Sequence, residues 1–286
     1  MDEFTVVLKA RELVQRVKVN SIPVPVEFYL QAFSCELKID DTLAPGEAGC
    51  SFEHKGKRYV VVNGKDSEER KRFTICHEIA HIDLGLPVEH GAPSWSYTKR
   101  PQNEIFCDLY ATELLLPYQL FRPLARNMAI GFAAIDELAD KFEASLTSTG
   151  SRFAAEAELP CAFVLSEHGK VKYPARSKTL REMGGWIRPG TPLPSASTSA
   201  TARNGVNGQD TTEIAADLWF SDWRKGGLLL EEVRHLARYD QTLTLLWFDE
   251  GDEPQGRETY ENGEDDNGLL KELDGNLPWP GKKRRR

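Results

Sequence analysis

The stretch that decides the fold is Arg72–Gly85, RFTICHEIAHIDLG, which contains an HExxH pattern at residues 77–81. In a helix, His77 and His81 lie one turn apart on the same face. Two imidazoles placed in this way can bind one zinc ion, with Glu78 beside them as general base for hydrolysis. The alternative is a core helix whose histidines are only hydrogen-bonded. The glutamate in this register favours the metal site.

The residues around the pattern predict a buried helix. Asp66 and Glu69 have the spacing of a capping box at its start. Gly85 and Pro87 supply its end. Apolar residues recur between these signals at helical spacing, at Phe73, Ile75, Cys76, Ile79, Ala80 and Ile82. We therefore expect a mostly buried helix that carries both histidines.

Composition and charge limit the class of protein. The chain has 286 residues, 40% hydrophobic and 28% charged, which predicts a packed core in one large or two ordinary domains. Its net charge of −8 leaves no broad basic field for nucleic acid or an anionic membrane. The N-terminal residues lack the apolar core of a signal peptide. Because no stretch approaches the roughly 20 apolar residues that span a bilayer, we expect no membrane association.

The five cysteines are odd in number, scattered, and form no CxxC pair. Their pattern is typical of reduced core cysteines in a cytosolic protein, and not of disulfides or a Cys-type zinc site. A cytoplasmic location is therefore expected.

A β-hairpin is predicted directly before the HExxH helix. Two extended runs, 49–53 and 58–63, flank a turn at 54–57. The edge of such a hairpin could hold an extended peptide over the metal by strand addition. The alternative is that the hairpin only packs on the helix. Upstream patterns indicate helices in 4–18 and 26–33 and a short strand at 36–39.

The third metal ligand is expected on a second helix. The longer metzincin pattern fails because Leu84 and Pro87 replace its Gly and His. Residues 101–117, PQNEIFCDLYATELLLP, predict a helix from about 103 to 116. On it, Glu104 is the candidate third ligand, and Asp108, one turn on, can accept a hydrogen bond from a ligand histidine. A helix with solvated acids is the alternative.

The linker between the two helices, residues 88–100, supplies further candidates. His90 and Tyr97 could line the substrate cleft or contact the transition state. His90 is also a rival third ligand to Glu104. Glu113, nine residues after Glu104, should point away from the site.

Residues 8–165 resemble the ImmA/IrrE family of bacterial and phage metallopeptidases, and the two helices carry the specific part of this resemblance. RFTICHEIAHIDLG is similar to the family's RxxFTxxHExxH helix, and NEIFCDLYATELLLP to its ExxANxFAxxLLMP helix. Glu104 matches the metal-binding glutamate, whereas Cys107-Asp108 replaces the usual Ala-Asn. The resemblance implies a zincin-like, gluzincin-type site and zinc-dependent cleavage of a helix-turn-helix repressor inside the cell, which relieves transcriptional repression in stress, phage or mobile-element regulation.

The segment 133–156 resembles a helix-turn-helix unit. A DNA-binding interpretation would use residues 138–153, but Arg152 is the only basic residue of 147–153, and several acids precede it. A structural role is therefore favoured, and direct binding of nucleic acid is not expected.

The sequence thus predicts an α+β protein. Residues 1–132 form a mostly helical, zincin-like metallopeptidase domain with a small β-sheet, and the helix-turn-helix-like segment follows it. Residues 157–250 form a smaller α+β domain with an antiparallel sheet and a flexible loop at 190–212, which the resemblance suggests can be sensor-like. Residues 251–286, acidic and then basic, predict a disordered tail.

The leading functional hypothesis is a cytoplasmic zinc endopeptidase whose substrate is a helix-turn-helix repressor. Manganese is the alternative metal, because it also occupies His/carboxylate sites. Two other functions stay open: a regulator that binds and sequesters a repressor without cutting it, and a DNA-binding regulator.

Overall fold

The structure is a computed structural model that describes residues 1–44, 46–87, 101–203, 211–249, 251 and 254. Its helices are α1 (Glu3–Arg16), α2 (Glu27–Ala32), α3 (Glu68–Leu84), α4 (Gln102–Leu115), α5 (Tyr118–Ala125), α6 (Phe132–Phe142), α7 (Leu146–Glu156), α8 (Lys178–Glu182), α9 (Thr198–Ala202) and α10 (Ala216–Trp219). Its strands are β1 (Cys35–Asp40), β2 (Gly49–His54), β3 (Lys57–Asn63), β4 (Cys161–Glu167), β5 (Lys170–Arg176), β6 (Thr212–Ala215), β7 (Leu228–Leu236) and β8 (Gln241–Trp247). The fold is α+β, as the sequence predicts.

The N-cap of the HExxH helix, α3, lies one residue later than the sequence predicts. Ser67, and not Asp66, is the N-cap residue, and its side chain accepts a hydrogen bond from the amide of Arg70. Asp66 instead pairs with Arg70, with 2.9 Å between Oδ2 and Nε. At the other end Gly85 adopts a left-handed conformation with φ of 65° and ends the helix, as its sequence signal predicts.

The second site helix, α4, packs between α3 and α1. Its inner face is fully buried, and Tyr29 of α2 donates a hydrogen bond to the Leu114 carbonyl oxygen over 2.9 Å. The helix ends where Pro117 starts the next one, because a proline disfavours helical backbone at the residue before it. Burial between two helices fixes which face of α4 points at α3.

A three-stranded sheet, in the order β1-β3-β2, packs against α3. β2 and β3 form the predicted hairpin, and β1 joins β3 in parallel. β2 is an edge strand and comes very close to its neighbours at Gly49. A Cβ there would lie 2.3 Å from the Val61 carbonyl oxygen and 2.7 Å from Cγ2 of Thr74 in α3. Glycine therefore allows β2 to sit directly on the HExxH helix.

The C-terminal half is built on a five-stranded sheet in the order β5-β4-β8-β7-β6, with neighbouring strands antiparallel. One face of the sheet and the N-terminal helices bury their apolar side chains together, in what we call the shared core. It includes Leu13, Tyr29, Ile79, Leu114, Phe142 and Phe153 from helices, and Phe163, Leu165, Leu243, Leu245 and Trp247 from the sheet. The other face holds a second core, which includes Val164, Leu246, Trp219, Phe220, Trp223 and Phe248.

Helix α7 packs directly on strands β4 and β5 of the C-terminal sheet. A Cβ at Gly150 would lie only 2.2 Å from the Phe163 ring in β4. The rings of Phe163 and Phe132 also meet edge to face, with their centroids 6.3 Å apart. The expected boundary at residue 157 therefore lies between two elements that pack tightly on each other.

The sequence predicts a flexible loop at 190–212, but the described part of this segment contains a helix. Residues 198–202 form α9, and Ser197 and Ser199 are completely buried. The Ser199 hydroxyl lies 2.8 Å from Oε1 of the buried Glu231 in β7, and the Thr198 amide lies 2.9 Å from Oε2. The small polar residues that suggested a loop are thus donors to a buried carboxylate. Residues 204–210 lie outside the described residues.

No helix in the described part of the chain is both long and apolar enough to cross a membrane. The expectation of a disordered tail concerns residues that, apart from 251 and 254, lie outside the described ones.

Candidate metal centre

The two histidines of the HExxH pattern converge as their spacing predicts. His77 and His81 project from one face of α3, with their Nε2 atoms 3.2 Å apart. His81 is buried, with 3% of its surface exposed, and the side chain of His77 is 12% exposed. The rings meet edge to face with centroids 5.0 Å apart. Both nitrogens can therefore reach one common point.

Glu104 brings its carboxylate to the same point from α4. Its Oε2 lies 3.2 Å from Nε2 of His77, and its Oε1 lies 3.5 Å from Nε2 of His81. The side chain is 15% exposed. The structure thus brings together the three residues that the sequence proposed as ligands.

The outer nitrogens of both imidazoles are held by acceptors. Nδ1 of His77 lies 2.9 Å from Oδ1 of Asp108, one turn along α4 from Glu104. Nδ1 of His81 lies 3.2 Å from the carbonyl oxygen of Leu86, just after the helix ends. If each Nδ1 carries a proton and donates it, each Nε2 presents a lone pair inward, which is the usual arrangement of metal-ligating histidines.

This donor set fits a zinc ion. In a tetrahedral site with bonds of about 2.0–2.1 Å, neighbouring donor atoms are roughly 3.3 Å apart. The separations among His77, His81 and Glu104 are 3.2, 3.2 and 3.5 Å. Two imidazoles and a carboxylate are also the ligands of one common class of catalytic zinc site.

The electrostatics of the site favour positive charge. Burial alone would lower the pKa of His77, but hydrogen bonds to Asp108 and Glu104 outweigh it and raise that pKa to about 10. The same carboxylates that stabilise a proton on this ring would stabilise a divalent cation in its place.

Glu78, the candidate general base, is buried with 4% of its surface exposed. The Ser51 hydroxyl of β2 donates a hydrogen bond to its Oε2 over 2.7 Å. This contact fixes one oxygen of the carboxylate and ties the edge strand to the site. Sequence reasoning predicted the hairpin but missed Ser51, because nothing local to residue 51 indicates a partner 27 positions away.

A thiol that the sequence did not suggest as a ligand also lies at the site. The sulfur of Cys107 and one nitrogen each of His77 and His81 all lie within 4.8 Å of one another. Cys107 is completely buried and follows Glu104 by three residues on α4. That i, i+3 spacing was the only available signal.

The remaining candidates have different positions. His90 and Tyr97 lie outside the described residues, so their roles stay predictions. Glu113 points away from the site, as its spacing indicates, and pairs with Arg11 and Arg152. The Nε of Arg11 lies 3.2 Å from Oε1, and the Nη2 of Arg152 lies 2.9 Å from Oε2.

Comparison with known proteins agrees with the resemblance found in the sequence. Residues 33–153 match the model of the Peptidase_M78 family, described as the IrrE N-terminal-like domain. A Mycobacterium tuberculosis transcriptional regulator has a similar fold, with a TM-score of 0.52 and 12% identity over 85% of this chain and 76% of that chain. At this identity the likeness concerns the fold alone. No curated protein matches the chain.

Proposed function

Because residues 33–153 belong to the IrrE N-terminal-like family, we propose that the protein is a zinc-dependent endopeptidase. The observation that carries this proposal is the convergence of His77, His81 and Glu104 within 3.5 Å of one another, with Glu78 on the same helix. These residues would hold the zinc ion. When bound, zinc supplies Lewis-acid activation of water and of a peptide carbonyl.

The protein's own groups move the protons in this mechanism. Glu78 removes a proton from the attacking water and later delivers one to the leaving amine. Ser51 positions the Glu78 carboxylate through its hydrogen bond. Asp108 and the Leu86 carbonyl hold the two imidazoles in one orientation. Ser51, Asp108 and the Leu86 carbonyl therefore act by fixing a geometry before the reaction begins.

The substrate peptide would bind along β2. This strand is at the edge of the three-stranded sheet, so it can pair with an extended chain by strand addition. Ser51 of the same strand contacts Glu78, so a peptide paired with β2 lies beside the general base. This arrangement favours cleavage within a chain over removal of a terminal residue.

The proposed substrate is a helix-turn-helix repressor in the cytoplasm, whose cleavage relieves repression. The family resemblance supports this choice, and the M. tuberculosis protein of similar fold is named a transcriptional regulator. A non-cleaving regulator that sequesters the same repressor is the rival function.

The test begins with metal analysis of the purified protein, which should contain about one zinc per chain. The protein and its Glu78→Gln variant are then incubated with purified candidate helix-turn-helix repressors, beginning with any that are encoded in neighbouring reading frames. We expect discrete fragments from the wild type and intact repressor with the variant, which keeps its zinc. A stable complex without fragments would favour sequestration. Cleavage by the Glu78→Gln protein would exclude the proposed mechanism.

The environment of Arg152 argues against the DNA-binding alternative. Its side chain is 12% exposed and is engaged by Glu113 on α4 and by Glu156, at 3.8 Å, on its own helix. A guanidinium held in this way is not available to a phosphate. Duplex binding at low salt that weakens on replacing Arg152, in a variant that stays folded, would reverse this conclusion.

A further inference from the structure

The Cys107 thiol lies beside the candidate zinc ligands, and the proposed mechanism does not use it. Its sulfur is within 4.8 Å of one nitrogen each of His77 and His81. Three residues before it on the same face of α4, Glu104 places its carboxylate 3.2–3.5 Å from the two Nε2 atoms. Two imidazoles and a thiol are therefore grouped within 4.8 Å of one another, and the Glu104 carboxylate contacts the same two imidazoles.

The upper bound on the S–N distances places Cys107 within reach of a shared metal ion. With zinc bonds of about 2.3 Å to sulfur and 2.0–2.1 Å to nitrogen, a tetrahedral site separates S from N by roughly 3.6 Å. The sulfur and the two nitrogens are at most 4.8 Å apart, so each S–N distance exceeds this value by at most ~1.2 Å. A small rotation of the cysteine side chain covers such a difference.

The surroundings of the sulfur also favour a metal partner. Cys107 has none of its surface exposed, and its helix is packed against α3. A bound zinc ion stabilises a thiolate directly, since metal coordination deprotonates a thiol. Cys76 offers a contrast, because it is equally buried and adjacent to His77 but does not belong to the donor group.

We propose that Cys107 is a further metal ligand, which completes a His77–His81–Glu104–Cys107 set in the resting protein. A site with four protein ligands is closed to water, so Cys107 must leave the metal before hydrolysis can start. The thiolate also selects the metal. Soft sulfur ligands favour zinc, whereas manganese prefers oxygen ligands.

The proposal rests on the proposed function for the existence of the metal site, but its test reads out the ligand and not the activity. The full-length, reduced protein is loaded with one equivalent of cobalt(II), and its near-ultraviolet spectrum is recorded. A thiolate bound to cobalt gives a sulfur-to-metal charge-transfer band, which imidazole and carboxylate ligands do not give.

Three variants serve as controls. Cys107→Ser keeps the volume, Cys107→Ala removes the sulfur with a smaller side chain, and Cys76→Ala removes a matched buried thiol. We expect the band in the wild type and in Cys76→Ala, and its loss in both Cys107 variants. Competition titrations should show zinc affinity falling at least ~10-fold in Cys107→Ala, with manganese affinity changing less than ~2-fold.

The outcomes separate the two proposals. Stoichiometric cobalt without a thiolate band in the wild type would overturn the role of Cys107 and leave the peptidase site standing. Failure of the wild-type protein to bind cobalt or zinc would overturn both. Because the cobalt spectrum is first recorded on the wild-type protein, a folding defect in a variant does not affect the conclusion about Cys107.

Discussion

Glu104 and Glu113 are two carboxylates on the same helix, α4, and they have opposite surroundings. Glu113 is buried with 1% of its surface exposed, between two arginines, and also accepts the Tyr118 amide over 3.0 Å. Glu104 faces the imidazoles of His77 and His81. Glu113 is therefore balanced by two guanidinium groups, whereas Glu104, nine residues earlier on the same helix, faces two imidazoles.

The comparison distinguishes two charge clusters. The cations around Glu113 are permanent, whereas the imidazoles beside Glu104 can exchange a proton for a metal ion. Burial would lower the pKa of Arg152, but the charges of Glu113 and Glu156 outweigh it, so the pKa stays above its usual range. That guanidinium is a fixed counter-ion that no solute can replace. A protonated imidazole can lose its proton, so the position beside Glu104 can accept a metal ion instead.

The largest effect that would test this contrast is expected from Glu104→Gln. The variant keeps the size of the side chain but removes the charge that faces both imidazoles. Since loss of a mere outer partner of a ligand costs about 10–100-fold in metal affinity, zinc affinity should fall by more than ~100-fold. Competition with a chromogenic chelator measures it. Unchanged affinity would remove Glu104 from the ligand set.

The reciprocal change, Glu113→Gln, should lower the free energy of unfolding and leave the zinc affinity unchanged. It removes the buried counter-charge that Arg11 and Arg152 share and leaves Arg152 only Glu156 at 3.8 Å. Breaking such a buried pair costs about 3–5 kcal/mol. Denaturant unfolding of the metal-free protein measures the loss. Zinc affinity within ~2-fold of the wild type is the expected control result. A large loss of zinc affinity in the still-folded variant would contradict the separation of the two clusters.

A smaller effect is expected from Asp108→Asn. The amide oxygen can still accept the proton of His77 Nδ1, but the negative charge that strengthens the bond is gone. Metal affinity should fall about 10-fold, at the lower end of the effect of such outer partners. Asp108→Ala, which removes the acceptor, should cost more, and equal losses in the two variants would argue that only charge matters.

An effect of similar size, on the rate of cleavage and not on metal affinity, is expected from Ser51→Ala, which frees one oxygen of Glu78. A hydrogen bond to a charged group contributes about 1.5–3 kcal/mol, so repressor cleavage should slow by ~10-fold or somewhat more. The zinc content should not change, and Ser51→Thr, which keeps a hydroxyl, should recover most of the rate. Full activity in Ser51→Ala would show that Glu78 does not need this contact.

The sequence predicted the parts of the site that depend on local order. Helical spacing put His77 and His81 on one face, and Gly85 ended α3 as its conformational freedom allows. The placement of Glu104 and Asp108 on one face of α4 could also be predicted, because residues four apart on a helix share a face. The fold class followed from the same periodicities.

The contacts that sequence reasoning missed join residues far apart in the chain. Ser51 reaches Glu78 across 27 positions, and Arg11 reaches Glu113 across 102. Ser197 and Ser199 looked like loop residues because their acceptor, Glu231, lies on a strand more than 30 residues away. No local propensity encodes such pairs, since tertiary packing alone brings them together.

The shared core has a consequence for how this protein can change over generations. Phe163 of the sheet packs on Gly150 and Phe132 of the helical half. A recombination event that exchanged everything after residue 156 would strip an apolar cover from the metal-bearing half. A viable exchange must therefore bring its own matching surface, so the two halves are inherited as a pair and their interface must diverge together.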